Sequence, residues 1–253
     1  MKSFIIQLAK KTGDQILQHF NKDRVIRIKK KSQVVTQADL IADQIIIKSL
    51  RKKFPGYGIL SEESGQHKTQ SKYLWVIDPL DGTTNYAIGS PLFAVGISLF
   101  FENQPILACA YMPAMKELYF AQKDKGAFLN NKKIKVSKST RLAESFLTFC
   151  HGSARKDIKR ALEVYNKIKL ITVDSRQLGA AAVEMGFVAC GRTDCIIIPG
   201  AHAWDVGPGT LLVREAGGQV TDFAGADWNL KSKDMVASNG KIHGQLLKLL
   251  KNI

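Results

Sequence analysis

A chain of 253 residues, 45 % hydrophobic and 23 % charged, is long enough to bury a substantial core in one large domain or two modest ones. No apolar run approaches the roughly 18 residues that cross a bilayer, which excludes a membrane-spanning protein. The formal net charge of +15 is compatible with a nucleic-acid partner, with steering of an anionic substrate, or with solvated lysines from a lysine-rich proteome.

The first segments of the chain predict two helices. Apolar residues recur at steps of four within residues 1–20, which indicates an amphipathic helix. The same segment lacks the continuous apolar core of a signal peptide, so we expect a cytoplasmic protein. A second helix is predicted over residues 39–53, because the run Phe54-Pro55-Gly56 is a strong helix breaker.

Strand-like runs rich in aromatic and branched residues follow from Tyr73. They predict strands over residues 73–77, 92–101 and 106–112, with a hairpin turn at Glu102-Asn103-Gln104 between the last two. A second hairpin is predicted at Asn130-Asn131, between strands at 127–129 and 134–136.

Helices and strands alternate after about residue 141, which is typical of α/β structure. The predicted helices cover residues 156–168, 179–189 and 204–216, with a last one from His243, and the predicted strands cover 170–173, 194–198 and 219–222. The chain is therefore predicted to be α/β, or α+β, in two sequential halves. Residues 1–140 form an α+β half with most candidate metal ligands, and residues 141–253 form an α/β half that carries Asp205.

An apolar strand that ends at Asp78 is the strongest chemical signal. Pro79 is expected to stop the strand ladder, and Asp81 follows three residues after Asp78. Such a junction can aim both carboxylates and the Leu80 carbonyl at one point. Oxygen-only ligands of this kind suit Mg²⁺.

The next three residues, Gly82, Thr83 and Thr84, offer backbone N–H groups and hydroxyls. If they begin a helix, the N–H groups of its first turn would bind a phosphate beside the metal.

Further acidic residues stand at Asp39, at Glu62-Glu63 after an apolar pair, and at Asp205 after Trp204. Each has an ordinary explanation in isolation. Asp39 can be a helix cap, Glu62-Glu63 a solvated loop, Asp205 a charge at a helix N-terminus, and residues 78–83 a polar turn. The coincidence of all four segments predicts one shared site.

Two motifs are specific enough to compare with known families. The first is WVIDPLDGTTNY at positions 75–86, and the second is WDV at 204–206 followed by EAGG at 215–218. On these motifs the chain resembles the inositol monophosphatase family, in the superfamily of Mg²⁺-dependent, lithium-sensitive phosphatases that includes fructose-1,6-bisphosphatase. The resemblance covers nearly the whole chain. It implies a layered αβαβα sandwich and a homodimer.

The resemblance also implies roles for individual residues. Glu62, Asp78 and the Leu80 carbonyl would hold one Mg²⁺, and Asp78, Asp81 and Asp205 a second. A third, weaker ion would touch Glu62. The implied catalytic residues are Asp39, Thr83 and Glu62, with Asp39 supporting Thr83 as it orients and helps to deprotonate the attacking water. The implied substrate-binding positions are Asp81, Gly82, Thr83, Thr84, Ala181 and Ile198.

The sequence determines less about how the alcohol part of the substrate, as opposed to its phosphate, is recognised. Inositol-specific members of the family carry an acidic residue seven positions before the aspartate of the Trp-Asp motif. Here Ile198 occupies that position, and an isoleucine cannot accept hydrogen bonds from ring hydroxyls. His202 is either a substrate contact or a structural residue before a helix.

The predicted function is hydrolysis of inositol 1-phosphate, or of a similar sugar or polyol phosphate, by metal-activated water. Fructose-1,6-bisphosphatase or histidinol-phosphatase activity is an alternative on the same chemistry. A regulatory protein that binds RNA or the transcription machinery is an alternative of another class. The dispersed lysines come with no aromatic-interleaved basic motif, so a nucleic-acid partner is possible but not favoured, and the lysine-rich background is preferred.

Overall fold

Helices and sheets alternate in five layers in the computed structural model, which describes residues 1–22, 26–30, 33–251 and 253. The helices are α1 Lys2–His19, α2 Gln37–Lys53, α3 Thr83–Ala87, α4 Arg155–Lys169, α5 Ala181–Ala189, α6 Ala203–Glu215 and α7 His243–Leu250. The layering is α1 and α2, a large sheet, α5 and α6, a small sheet, then α4 and α7. This confirms the αβαβα sandwich. None of the helices in the described ranges is both long and apolar enough to span a membrane.

A separate hairpin precedes the large sheet. It pairs β1 Ile26–Lys30 with β2 Gln33–Thr36 in antiparallel register. β2 leads directly into α2, where Thr36 is the N-cap residue.

The large sheet has eight strands in the order β10-β9-β8-β7-β6-β5-β3-β4. They are β3 Gly58–Ser61, β4 Gly65–His67, β5 Tyr73–Asp81, β6 Ala94–Phe101, β7 Gln104–Met112, β8 Glu117–Gln122, β9 Gly126–Leu129 and β10 Lys132–Lys133. All neighbours are antiparallel except β3 and β5, which run parallel with Ser61 opposite Ile77. Because the two strands run parallel, Glu62, which follows β3, and Asp78, which follows Ile77 within β5, lie side by side at one edge of the sheet.

The small sheet has five strands in the order β12-β11-β13-β15-β14. They are β11 Phe146–Phe149, β12 Asp174–Arg176, β13 Cys195–Pro199, β14 Gln219–Thr221 and β15 Asp234–Ser238. β11 runs parallel to both of its neighbours, and the remaining pairs are antiparallel. Leu147 and Ile197 of this sheet pack in one core cluster with Val164 of α4 and Leu246 of α7.

The core divides by layer. On one face of the large sheet, Ile5 of α1 and Ile46 of α2 are buried with Trp75 and Ile97. α5 and α6 fill the space between the two sheets and pack against both. The predicted boundary between two halves near residue 140 stays a prediction. α5 and α6 pack against both sheets, so the two halves share one core.

Several predicted elements are correct in kind and place. The hairpin turn at Glu102-Asn103 and the one at Asn130-Asn131 both adopt the positive φ angles that tight hairpins require. The predicted helices all occur, with ends shifted by one or two residues. Most predicted strands occur as well, and the structure adds β1, β2, β3, β4, β8, β10, β11, β12 and β15.

Three local predictions were wrong. Residues 170–173 are not a strand, because the amides of Ile171 and Thr172 bond back to Ile168 and close α4, and the strand begins at Asp174. Residues 134–136 are not a strand either, since β10 pairs with β9 through Lys132–Lys133. Pro79 does not end the ladder: β5 continues to Asp81 across an irregular register, so the missing proline N–H falls at the irregularity.

Candidate active site

Three carboxylates meet at the edge where β3 and β5 end. Glu62 follows β3, Asp78 lies in β5, and Asp205 lies in the first turn of α6. Each offers an oxygen, and these oxygens lie within 4.8 Å of one another. The parallel pairing of Ser61 with Ile77 brings the first two carboxylates together, and the packing of α6 on the large sheet adds the third.

Backbone and side-chain contacts position each of these acids. Asp78 is 2 % exposed, and its Oδ1 accepts the Leu80 N–H over 3.1 Å. Asp205 Oδ2 accepts the His202 N–H over 3.1 Å in a capping box of α6. The turn that carries Glu62 is held against α2 by Asp43, which accepts hydrogen bonds from Ser61, over 2.5 Å, and from Ser64.

Asp81 lies beside this cluster and is held by α5. Its two oxygens accept the backbone N–H groups of Ala181 and Ala182, each over 2.9 Å. A carboxylate oxygen that accepts one hydrogen bond retains a second lone pair, so the predicted role of Asp81 in metal binding remains open to it. The Ala181 N–H, in contrast, is already engaged and its carbonyl lies in the hydrogen-bonded ladder of α5, which leaves its methyl group for any substrate contact.

Burial raises the pKa values of Asp78, Asp81 and Asp205, and repulsion between carboxylates adds to it at Asp78 and Asp81. The pKa of Asp78 is raised well above its ordinary value by burial, then by the charges of Glu62, Asp81 and Asp205. Burial is also the largest cause of the raised pKa values of Asp81 and Asp205. A group of carboxylates that repel one another is the donor set that a divalent cation stabilises. Leu80 lines the same cavity, and with its carbonyl oxygen, which lies 3.0 Å from Thr83 Oγ1, this oxygen donor set fits Mg²⁺.

Thr83 and Asp39 form a second element of the site. Thr83 Oγ1 lies 2.8 Å from Asp39 Oδ1 and 3.0 Å from the Leu80 carbonyl. The other oxygen of Asp39 accepts the N–H and the hydroxyl of Thr36, over 2.7 and 2.6 Å, in the capping box of α2. Asp39 is therefore the N3 residue of that box rather than the N-cap, and burial raises its pKa.

Gly82 joins β5 to α3 in a conformation that suits glycine alone. Its φ is +83°, and a Cβ there would lie 2.8 Å from the Leu92 carbonyl and 2.9 Å from the Cβ of Ala180. The left-handed turn directs Thr83 and Thr84 into the cavity beside the carboxylates.

A cavity of about 360 Å³ brings the predicted residues together. The predicted site residues that line it are Glu62, Asp78, Leu80, Asp81, Gly82, Thr83, Thr84, Ala181, Ile198 and Asp205. Asp39 does not line it but contacts Thr83 from behind. Ile198 is buried and presents an apolar wall.

Sequence reasoning missed one wall of this cavity, formed by residues 150–153 after β11. Polar residues just after the carboxyl end of a parallel strand often belong to a ligand-binding site. Because no strand was predicted at residues 146–149, residues 150–153 were not recognised as candidates. His202, which the sequence left undecided, lines the cavity and stacks on Trp204 with ring centroids 4.8 Å apart.

A buried carboxylate, Glu184, supports this wall and was also missed, because it lies in an otherwise apolar helix. Its Oε1 accepts hydrogen bonds from the Cys150 thiol over 3.0 Å and from the N–H groups of Leu178 and Gly179 over 3.2 and 3.0 Å. Burial raises the pKa of Glu184 to about 7. Glu184 thus ties the 150–153 loop to the segment that begins α5.

This fold and this acidic cavity match known proteins. The family model described as the inositol monophosphatase family matches residues 1–253. The chain belongs to the inositol monophosphatase family. The relative named inositol-1-monophosphatase of Mesorhizobium japonicum is 36 % identical, over 98 % of this chain and 94 % of its own length. The Nus factor SuhB of Xylella fastidiosa is 37 % identical, over 89 % of this chain and 82 % of its own.

The solved structure of the Thermotoga maritima IMPase has a TM-score of 0.91 to this chain. The two are 31 % identical, over 98 % of this chain and 96 % of the other. Membership of the inositol monophosphatase family supports a phosphatase that acts on phosphorylated sugars or polyols with the help of a metal, and the acidic cluster agrees with that.

Proposed function

We propose that this member of the inositol monophosphatase family hydrolyses a small sugar or polyol phosphate monoester, with Mg²⁺, by direct attack of water. The observation that carries the proposal is the group of three carboxylates, Glu62, Asp78 and Asp205, whose oxygens lie within 4.8 Å of one another on the wall of one cavity. Inositol 1-phosphate is the reference substrate.

The metal-binding residues in this proposal are Glu62, Asp78, Asp81, Asp205 and the Leu80 carbonyl, for two to three ions. Mg²⁺ held by these oxygens would supply positive charge that stabilises the phosphoryl group and its leaving oxygen. The raised pKa values of Asp78, Asp81 and Asp205 support this assignment, because a bound cation offsets the cost of burying these charges and, at Asp78 and Asp81, the repulsion between carboxylates.

Thr83 and Asp39 are the proposed proton acceptors. The Thr83 hydroxyl has one proton, which it donates to Asp39 or to the Leu80 carbonyl, and its free lone pair can accept a proton from water. As the water loses its proton to Thr83, the Thr83 proton passes to Asp39. The raised pKa of Asp39 makes it a stronger base for this transfer. Its contacts with Thr36 keep it in place.

The phosphoryl oxygens would be bound by the first turn of α3. Gly82, Thr83 and Thr84 line the same cavity as the carboxylates, and their backbone N–H groups and the Thr84 hydroxyl are the donors we assign to those oxygens. Ile198 cannot accept hydrogen bonds from an alcohol, so hydroxyl recognition falls to the polar residues His151, Ser153 and His202. Fructose 1,6-bisphosphate and histidinol phosphate are therefore alternative substrates for the same chemistry.

The test is phosphate release from a panel of esters with Mg²⁺ and with EDTA. We expect turnover of inositol 1-phosphate or another panel member with Mg²⁺, none in EDTA, and none in Asp78→Asn. Asp124→Asn is the matched control and should retain activity, because Asp124 is an exposed acid in the turn between β8 and β9 and does not line the cavity. Full activity in EDTA, or no hydrolysis of any ester, contradicts the proposal.

A homodimer, inhibition by lithium and a cytoplasmic location also belong to the proposal. Phe146 and Val173 are each 52 % exposed beside the edge strand β12, which supports an interface there. Sedimentation should give a dimer that Phe146→Glu dissociates, with Leu162→Glu, another exposed apolar position, as the control. Lithium titration of the activity and cell fractionation test the other two statements.

A second candidate function is regulatory binding of RNA or of the transcription machinery. The net charge of +15 and the similarity to a relative named Nus factor SuhB favour it. It predicts salt-sensitive nucleic-acid binding that persists in Asp81→Asn, a variant in which hydrolysis should be lost.

A further inference from the structure

Glu62 lies in a short turn that joins β3 to β4. Ser61 pairs with Gly65 across the base of this turn, and the Glu62 N–H donates to the Ile77 carbonyl of β5 over 3.3 Å. Both of these contacts are made by the backbone at the base of the turn. Side chains attach the turn to the neighbouring helix α2.

Asp43 of α2 holds the turn from both sides. Its Oδ1 accepts the Ser61 hydroxyl over 2.5 Å, and its Oδ2 accepts the Ser64 hydroxyl. Asp43 is 6 % exposed and Ser61 is fully buried, so water competes little for the first of these hydrogen bonds. Hydrogen bonds to a carboxylate are also stronger than those to a neutral acceptor. Ser61, Asp43 and Ser64, which we call the Asp43 clamp, therefore fix the segment that carries Glu62.

Asp43 and Ser64 do not line the candidate active-site cavity. They line a groove between α2 and the turn, and this groove shares no lining residue with that cavity. A substitution at either residue therefore removes no proposed metal ligand and no proposed substrate contact. Its effect on metal binding passes through the turn that carries Glu62.

The position of a carboxylate matters more for Mg²⁺ than for Ca²⁺. Mg²⁺ requires a nearly octahedral set of oxygens at about 2.1 Å, whereas Ca²⁺ accepts more oxygens at about 2.3–2.6 Å in irregular geometry. A carboxylate that is held rigidly therefore favours the smaller ion. One that can shift accommodates the larger ion equally well.

We propose that Asp43 is a positioning residue for Glu62, and that the Asp43 clamp sets the preference of the acidic cluster for Mg²⁺ over Ca²⁺. The oxygens of Glu62, Asp78 and Asp205 converge within 4.8 Å although the charges of Glu62 and Asp78 repel each other. When the clamp is broken, this repulsion moves Glu62 away from the cluster, and Mg²⁺ loses more affinity than Ca²⁺. The inference rests on the proposed function, whose metal site it concerns.

Thermal unfolding of the full chain over a range of Mg²⁺ and Ca²⁺ concentrations tests the proposal, because an ion that binds the folded chain raises Tm according to its Kd. The measured quantity is the ratio of the Kd for Ca²⁺ to the Kd for Mg²⁺. In Asp43→Ala we expect the Kd for Mg²⁺ to rise by about tenfold to a hundredfold and the ratio to fall by about tenfold.

Ser64→Ala and Ser64→Thr form the sharper pair of variants. Ser64 is exposed and lies outside α2, so neither change disturbs the core or the position of Asp39. Ser64→Ala removes one hydrogen bond of the clamp and should lower the ratio, whereas Ser64→Thr keeps the hydroxyl and should preserve it. In turnover assays, saturating Mg²⁺ should restore kcat in Ser64→Ala, because no catalytic group is lost. This pair decides the matter even if Asp43→Ala does not fold.

Asp14→Asn is the matched control. Asp14 of α1 also accepts a hydroxyl, from Tyr111 over 3.0 Å, and it does not line the active-site cavity. This variant should bind both ions as the unmodified protein does.

Two results would overturn the inference. The parent's ratio in Ser64→Ala means that the clamp does not select between the two ions. An equal rise in the Kd values for both ions in Asp43→Ala means that Asp43 supports the turn without positioning Glu62 for Mg²⁺.

Ion binding separates this inference from the proposed function, which is tested by ester hydrolysis. If no ester is hydrolysed but the ratio falls as expected, the proposed function fails and Asp43 keeps its positioning role. If esters are hydrolysed with Mg²⁺ and the ratio does not change in the variants, the proposed function stands and this inference fails. An unmodified protein that does not bind Mg²⁺ rejects both.

Discussion

Thr83 Oγ1 and Asp39 Oδ1 lie 2.8 Å apart although 44 residues separate them in the sequence. The other oxygen of Asp39 accepts two hydrogen bonds from Thr36, which fix the position of the carboxylate. The left-handed turn at Gly82 fixes the position of Thr83. The pair therefore stands in a defined geometry between a helix terminus and the end of a strand. Its position beside the acidic cluster makes it the proton-accepting part of the proposed site.

Replacing Thr83 by Ala should lower kcat by about a hundredfold to a thousandfold, the usual scale of a positioned acid–base group. Thr83→Ser keeps a hydroxyl at the same position and should retain kcat within about tenfold. Steady-state phosphate release checks both variants. Equal activity in the Ala and Ser variants would show that the hydroxyl takes no part in proton transfer.

The acidic cluster should destabilise the metal-free chain. Asp78→Asn removes one repelling charge, so we expect its Tm in EDTA to equal or exceed that of the unmodified protein, while Mg²⁺-dependent turnover is lost. Mg²⁺ at about one hundred times its Kd should stabilise the unmodified protein by about 2.7 kcal/mol, and the variant by less. Thermal unfolding with and without Mg²⁺ measures this. A variant that gains as much from Mg²⁺ as the parent would remove Asp78 from the ligand set.

Glu184 should be required for the wall of the site. Glu184→Leu leaves the N–H groups of Leu178 and Gly179 without their acceptor, so we expect a loss of about 3 kcal/mol in the free energy of unfolding. Glu184→Gln keeps the Oε1 acceptor and should lose about 1 kcal/mol. Urea unfolding measures both, with Glu163→Gln, an exposed acid on α4, as the control. Equal losses in the Leu and Gln variants would contradict the assigned hydrogen bonds.

His243 should make stability depend on pH. Burial lowers its pKa to about 4 from 6.5, and it bridges the hydroxyls of Thr221 and Ser238 at 2.9 and 2.8 Å. Because Thr221 donates its proton to the Asp222 carbonyl and Ser238 accepts the Gly240 N–H, the network is satisfied by a neutral imidazole.

Below pH 6.5 the unfolded chain binds a proton that the folded chain does not, so this contribution to stability is complete above pH 6.5 and is lost as the pH falls toward 4. We expect a loss on the order of 2 kcal/mol across that interval, and a smaller slope in His243→Gln. Urea unfolding from pH 4 to 7 measures the slopes, with His19→Gln, which leaves the network intact, as the control. The same slope in His243→Gln and in the parent would refute the assignment.

Much of the site could be predicted because its chemistry resides in residue types at short spacings. Asp78 and Asp81 can be recognised in the sequence because a proline lies between them and a glycine follows. Asp205 can be recognised because it follows Trp204. Helices such as α1 and α2 were predicted for the same reason, since capping residues, breakers and the 3.6-residue period are all local properties of the chain.

The errors were of a different kind. Strand β3 is only four residues long, and β11 and β15 are short and apolar, so neither period nor length distinguished them from other segments. Without β3, only the coincidence of the acidic segments and the family resemblance placed Glu62 beside Asp78, and without β11 the loop at residues 150–153 had no location.

The sequence by itself determined which groups are present, that is, the carboxylates, the Thr83 hydroxyl and the lysines, together with the local elements that carry them. Tertiary structure alone decided which of them meet: the parallel register of β3 with β5, the docking of α5 onto Asp81, and the attachment of the Glu62 turn to Asp43. The physical reason is that helix and turn preferences are set by neighbouring residues. Contacts between strands and helices distant in sequence depend on how buried side chains pack across the whole chain.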